Sequence, residues 1–85
     1  MHEMSIALEI ARIAEDRLGL ATPQLVSVAV EVGDESGVEP ANLEFCLEAV
    51  LATPPFCGAK GTIVRVRGDA LQLAYLEVDD GNPDN

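Results

Sequence analysis

The sequence contains no tryptophan, only two phenylalanines and one tyrosine, yet 48% of its 85 residues are hydrophobic. A chain of this length forms one small domain, whose core must be built from Ile, Leu, Val and Ala. Basic residues are also scarce: five stand against 15 acidic ones, for a formal net charge of −10. That charge repels phosphate backbones and anionic lipids, so it argues against nucleic-acid and membrane partners.

Cysteine is scarce as well. Cys46 and Cys57 are the only two, and no Cys-x-x-Cys pair occurs, so the four sulfur ligands of a typical zinc ribbon are missing. No apolar run approaches the roughly 20 residues that span a bilayer. The amino terminus lacks a basic region followed by an apolar stretch, so no secretory signal is predicted. We therefore expect a cytoplasmic protein with reduced thiols, Cys46 in the core and Cys57 more exposed.

Apolar spacing predicts two helices. The first covers residues 5–18, where isoleucines and alanines recur at intervals of three and four. Ser5 is its predicted N-cap and Gly19 its predicted stop. The second helix has Pro40 at its first position, because a proline there loses no hydrogen bond that the helix needs.

Three segments have the pattern of β-strands, at residues 25–32, 62–67 and 70–78. In the first, the four valines at even positions are predicted to form one buried face. The second and third are separated by Gly68 and Asp69, which predicts a tight hairpin. In the third, the apolar face changes phase, which indicates either two partly buried faces or a β-bulge near Tyr75.

The element order is therefore α-β-α-β-β, and the predicted fold class is α/β (α+β). We expect a single domain over residues 1–78, with both helices packed on one face of a three-stranded mixed sheet. Residues 79–85 are acidic and rich in turn formers, and are predicted to be a disordered tail.

Most enzyme signatures are missing. The sequence has no glycine-rich phosphate loop, no Gly-x-Ser-x-Gly, and no second histidine to activate a serine or cysteine. Its adjacent carboxylates lie in polar loops, where solvated charge is the usual explanation. We assign no catalytic residue and predict that the protein is not an enzyme.

The remaining chemistry is at the first three residues, Met1, His2 and Glu3. The α-amine, the only imidazole of the chain and the neighbouring amide nitrogens can reach one metal ion. Such a nitrogen-rich set suits Ni(II) or Cu(II). The Glu3 carboxylate could orient the imidazole or act as an alternative ligand. Taken alone, a histidine at position 2 is better explained by chance.

The chain resembles the hydrogenase maturation nickel metallochaperone family (HypA/HybF). Members of that family begin Met-His-Glu, as this sequence does in "MHEMSIALEI", and carry a Gly-x-x-Ser-x-Val-[Glu/Asp]-Pro stretch before a helix. The matching positions are Gly33, Ser36, Val38, Glu39, Pro40, Leu43, Phe45 and Val50, and "LEV" at 76–78 is like the family's last strand. The resemblance implies that Met1, His2 and Glu3 bind nickel. It further implies transfer of Ni(II) towards the large subunit of a [NiFe] hydrogenase, together with a maturation GTPase.

One part of the family pattern is missing. Family members carry a zinc domain with two Cys-x-x-Cys pairs between the second and third strands, where this chain has only Gly68 and Asp69. We expect no zinc domain and no structural zinc, with a hairpin turn in its place. The loss leaves an alternative function, an adaptor or assembly subunit that docks on a hydrogenase or maturation component without carrying metal. An exposed third strand could also support a homodimer.

Overall fold

The computed structural model describes residues 2–79, so Met1 and residues 80–85 of the predicted tail lie outside the described part. Its elements are α1 (Glu3–Leu18), a 3₁₀ helix (Gly19–Gln24), β1 (Leu25–Gly33), α2 (Pro40–Leu51), β2 (Lys60–Val66) and β3 (Leu71–Val78). The predicted fold class and element order are confirmed. Neither helix of the described residues is long and apolar enough to cross a membrane.

The sheet has the order β2-β1-β3, with β2 parallel and β3 antiparallel to the central strand. The predicted hairpin between β2 and β3 is therefore wrong, because each of them pairs with β1 on a different side. β1 is paired along both edges. Ala29 is therefore buried as well, although it lies on the face of the sheet opposite the buried valines. The short connection after β2 has to cross the carboxyl end of β1 to reach the far edge.

Backbone hydrogen bonds hold this crossing in place. The Gly33 amide donates to the Ala70 carbonyl (2.7 Å) and the Glu35 amide to the Gly68 carbonyl (2.8 Å). In return, the Gly68 amide donates to the Asp34 carboxylate (2.9 Å). A Cβ atom on Gly33 would overlap the Gly68 carbonyl oxygen and lie 2.7 Å from the Ala70 nitrogen. Glycine is required at position 33 because the connection passes directly over it.

The core lies between the two helices and one face of the sheet, as predicted. Its buried members include Val28, Val30 and Val32 from β1, Ala7, Ile10 and Ala11 from α1, and Leu43, Leu47 and Leu51 from α2. α2 covers β2 so closely that a Cβ at Gly61 would come within 2.9 Å of the Leu47 Cβ. α1 lies beside β3, where its isoleucines and the β3 leucines line a common groove.

Of the two alternatives for the last strand, the structure shows the bulge near Tyr75. Ala29 pairs with Tyr75, but its neighbour Val30 pairs with Leu73, so Ala74 is an extra residue in β3. The extra residue returns the leucines of β3 to the helix-covered face after the change of phase.

A second irregularity lies at the start of β1. Leu25 pairs with Val78 and Ser27 with Glu77, so Val26 is the additional residue. Val26 is consequently 43% exposed, while Leu25 is buried in the core. The prediction that all four even-numbered valines are buried is therefore wrong at position 26, because the register shift inverts the first residue pair.

Candidate metal centre

The first helix begins two residues earlier than predicted. α1 begins at Glu3, and its first internal hydrogen bond joins the Ile6 amide to the His2 carbonyl (3.2 Å). His2 is the N-cap residue, with an extended backbone (φ −89°, ψ 94°), an exposed side chain and no capping bond from its imidazole. Ser5 lies within the first turn, so the prediction that it caps the helix is wrong.

The Glu3 side chain is buried and points at the start of α2. One carboxylate oxygen accepts a hydrogen bond from the Glu39 backbone amide (3.1 Å), and the other accepts one from the Asn42 side-chain amide (3.0 Å). Glu39 is the N-cap of α2 and makes no capping bond with its own side chain. A carboxylate from α1 thus accepts the hydrogen bond of the N-cap amide of α2.

Sequence reasoning missed this contact because Glu3 and Glu39 are far apart in the chain. The indirect signal was that α2 begins with Glu39 and Pro40, without the Ser, Thr, Asp or Asn that normally caps a helix. The contact also fixes geometry, since it brings the first turns of both helices to the same end of the molecule. His2, one residue before Glu3, is held at that end.

Hydrogen bonding lowers the pKa of Glu3 below its ordinary value. The largest cause is the Glu39 amide, followed by the backbone amide of Glu3 itself, and the Asn42 amide adds a smaller effect. Burial acts in the opposite direction but does not prevail. These donors stabilise the ionised carboxylate, so the pairing of the two helix starts depends on its charge.

Replacing Glu3 with glutamine is expected to lower the melting temperature at pH 7 by several degrees. The melting temperature of the variant should also fall less than that of the wild type as the pH is lowered. A folded-state pKa below the unfolded one contributes stability that is complete above the ordinary pKa and is lost as pH falls through the lowered value. The difference between wild type and Glu3→Gln should therefore shrink below the ordinary glutamate pKa. Thermal unfolding of both proteins, monitored by circular dichroism from pH 7 to pH 3, measures this difference in melting temperature.

Glu9→Gln is the matched control, because the Glu9 pKa is also lowered, through an exposed pair with Arg12 (2.7 Å). Exposed pairs contribute little to stability, so this variant should follow the wild-type curve closely. A wild-type and Glu3→Gln difference that stays constant across the pH range would contradict the role given to the Glu3 charge.

Side chains alone do not form a metal site in the described part of the chain. Within residues 2–79, no three His, Cys, Asp or Glu side chains converge on a point that could hold an ion. Cys46 is buried in the core and Cys57 is exposed, both as free thiols, as predicted. Of the predicted nickel ligands, the structure describes His2 and Glu3. It directs the Glu3 carboxylate towards α2, and Met1 lies outside the described residues.

The amide nitrogens at the start of α1 are a different kind of donor. The first amides of a helix have no carbonyl acceptor within it, so those of His2 and Glu3 are not part of the helical hydrogen-bond ladder. They lie next to the only imidazole of the chain. The described structure thus places two backbone amides beside an exposed imidazole at this end of the molecule.

One family model and several known proteins resemble this chain. A family model described as "Hydrogenase/urease nickel incorporation, metallochaperone, hypA" matches residues 1–78. The hydrogenase maturation factor HypA of Geobacter metallireducens is 41% identical over 68 residues, which are 80% of this chain and 60% of that protein. That of Albidiferax ferrireducens is 35% identical over 78 residues, 91% of this chain and 69% of that protein. The chain spans about three fifths of the length of the first relatives.

Proposed function

Since the chain belongs to the HypA family of hydrogenase and urease nickel-incorporation metallochaperones, we propose that it carries Ni(II) as transient cargo to a nickel enzyme during maturation. It acts in the cytoplasm as a carrier and catalyses no reaction. Its partners are the large subunit of a [NiFe] hydrogenase or a maturation GTPase. The observation that carries the proposal is the exposed, extended His2 immediately before α1.

The proposed site consists of Met1, His2 and Glu3. The α-amine of Met1, the imidazole of His2 and the amide nitrogens of His2 and Glu3 are the donors, a nitrogen set that suits Ni(II). The extended backbone of His2 and the absence of helical acceptors for these amides support it. Ni(II) replaces the amide protons when it binds, so capture is favoured at higher pH and release at lower pH.

Glu3 has a second role in this proposal. Its carboxylate holds the beginning of α1 against the beginning of α2, through Glu39 and Asn42. The site is thereby attached to a rigid element although its donors belong to the chain terminus. We propose that the carboxylate positions the site and that the amide nitrogen of the same residue binds the metal.

A Ni(II) titration of the untagged protein tests the site, monitored by absorption and calorimetry. We expect one equivalent of Ni(II), with the d–d band of square-planar nickel. The band should be lost in His2→Ala and in a variant with one residue added before Met1, because one lacks the imidazole and the other displaces the α-amine. Cys57→Ser should bind as the wild type does, which excludes the exposed thiol as a donor.

Two outcomes would contradict the proposal. Unchanged affinity in the extended variant would exclude the α-amine as a ligand. If the untagged wild type binds no Ni(II) at all, the carrier function is wrong, and the adaptor function without metal becomes the favoured one. Stable, stoichiometric capture of the protein by a mature hydrogenase would also favour the adaptor.

A further inference from the structure

Three large apolar side chains are exposed on the two helices. Met4 and Leu8 of α1 are 43% and 54% exposed, and Phe45 of α2 is 71% exposed. Phe45 is the more unusual because the same helix buries Leu43 and Leu47 completely. A single exposed apolar residue needs no explanation, but several that form a contiguous patch mark an interaction site.

Along the helix pair, Phe45 lies at a height between Met4 and Leu8. The contact of Glu3 with Asn42 aligns the two helix starts. With a rise of about 1.5 Å per residue, Phe45 lies about 4.5 Å beyond Asn42, while Met4 and Leu8 lie about 1.5 Å and 7.5 Å beyond Glu3. Phe45 is therefore level with the space between Met4 and Leu8.

Helical phase places all three on the surface that faces away from the sheet. At about 100° per residue, Met4 and Leu8 point away from the isoleucines of α1, which line the groove against β3. Phe45 points away from Leu43 and is only about 60° around α2 from Asn42, the residue that contacts α1. Met4, Leu8 and Phe45 thus form one surface across both helices, here called the outer helical patch.

Acidic residues outnumber free basic ones around the outer helical patch. Glu48 lies about 60° around α2 from Phe45, and Glu15 lies about two turns beyond Leu8 on nearly the same side of α1. Arg12, one turn beyond Leu8, is paired with Glu9 (2.7 Å). Within residues 2–79, neither Glu48 nor Glu15 forms an ion pair, and the whole chain carries a net charge of −10. Two copies meeting at this patch would bring four carboxylates together, and an anionic membrane would be repelled.

We propose that the outer helical patch docks a basic amphipathic helix of the protein that receives or supplies the metal. An apolar stripe on that helix covers Phe45, Leu8 and Met4, and its lysines or arginines meet the surrounding carboxylates. The patch begins within one helical turn of His2. The inference rests on the proposed carrier function for the identity of the partner, because docking here would bring the partner next to the site.

The test uses a synthetic helical peptide of leucine and lysine in amphipathic order as the probe, and a leucine–glutamate peptide of the same pattern as its control. Titration of ¹⁵N-labelled protein should give saturable shifts confined to the outer faces of α1 and α2 with the basic peptide alone. Phe45→Ser and Leu8→Ser should weaken binding by about tenfold or more. Tyr75→Ser should not, because this exposed aromatic pairs with Ala29 on the opposite face of the sheet.

Four outcomes would overturn the proposal: equal binding by Phe45→Ser, equal binding of the acidic peptide, shifts on the open sheet face, or a dimer that sedimentation shows to be lost in Phe45→Ser. A Ni(II) titration of the same variants keeps the two hypotheses apart. Phe45→Ser should bind Ni(II) as the wild type does while losing the peptide. A wild type that binds the peptide but no Ni(II) would refute the carrier function and leave the docking surface standing.

Discussion

Replacing Gly33 with alanine is expected to destabilise the domain by about 3 kcal/mol, the upper end for an inserted methyl group. The methyl group would overlap the Gly68 carbonyl and crowd the Ala70 amide, both of which are backbone atoms and cannot rotate aside. The connection between β2 and β3 would have to move, and its hydrogen bonds to the end of β1 would break. Urea unfolding measured by circular dichroism gives the free energy directly.

Gly58→Ala is the control for this experiment. Gly58 has a positive φ of 88° but nothing within 4 Å of an added Cβ, so alanine there should cost only about 1 kcal/mol of backbone strain. The comparison separates steric overlap from loss of glycine's conformational freedom. If both variants were equally stable, the close crossing over β1 would be wrong.

Replacing Leu43 with alanine is expected to cost about 2–5 kcal/mol, the usual range for a cavity left by a buried leucine. Leu43 is fully buried where α2 begins to pack on the sheet. A small domain has about 5–15 kcal/mol of stability in total, so this variant should be partly unfolded or close to it at 37 °C. Thermal and urea unfolding measure the loss.

Phe45→Ala provides a control in the same helix, two residues away. Its larger side chain is 71% exposed, so its removal should change stability by no more than about 0.5 kcal/mol. This contrast tests the orientation of α2, because both residues belong to the same apolar-rich sequence. A Phe45→Ala variant as unstable as Leu43→Ala would place Phe45 in the core and remove the outer helical patch.

Local patterns predicted what depends on local chemistry. The spacing of isoleucines identified α1, and Pro40 identified the first residue of α2, because helix geometry and proline's missing amide act over a few residues. The change of phase in the last strand left two explanations, partial burial of both faces or a bulge near Tyr75, and the register of β3 shows the bulge. Each of these predictions depends only on residues within a single helix or strand.

Contacts between different elements could not be predicted from such local patterns. Gly68 and Asp69 have the composition of a hairpin turn, but composition does not state which strand lies between the two that they join. Ser5 has the chemistry of an N-cap, yet α1 starts at Glu3, whose carboxylate finds its donors 36 and 39 residues further along the chain. Both errors arose where the deciding partner was remote in sequence.

The candidate site, like the fold, could be predicted from the sequence only in part. The sequence predicts nitrogen donors from the first three residues, because one histidine beside an α-amine limits the chemistry, and this stays a prediction. The orientation of the Glu3 carboxylate could not be predicted, since a carboxylate next to a histidine is equally suited to bind metal or protein. In the described structure, that carboxylate accepts hydrogen bonds from the Glu39 amide and the Asn42 side chain.

The central position of β1 has a consequence for how the chain folds. β3 pairs only with β1, through partners such as Val32 with Leu71 and Leu25 with Val78, so these pairs close the longest loops of the sheet. During synthesis, both helices and the β1–β2 pair emerge before β3 does. One edge of β1, next to the apolar core, remains unpaired until β3 is complete. Any segment inserted between β2 and β3 delays the synthesis of β3. It therefore lengthens the time in which the unpaired edge of β1 can pair with another chain.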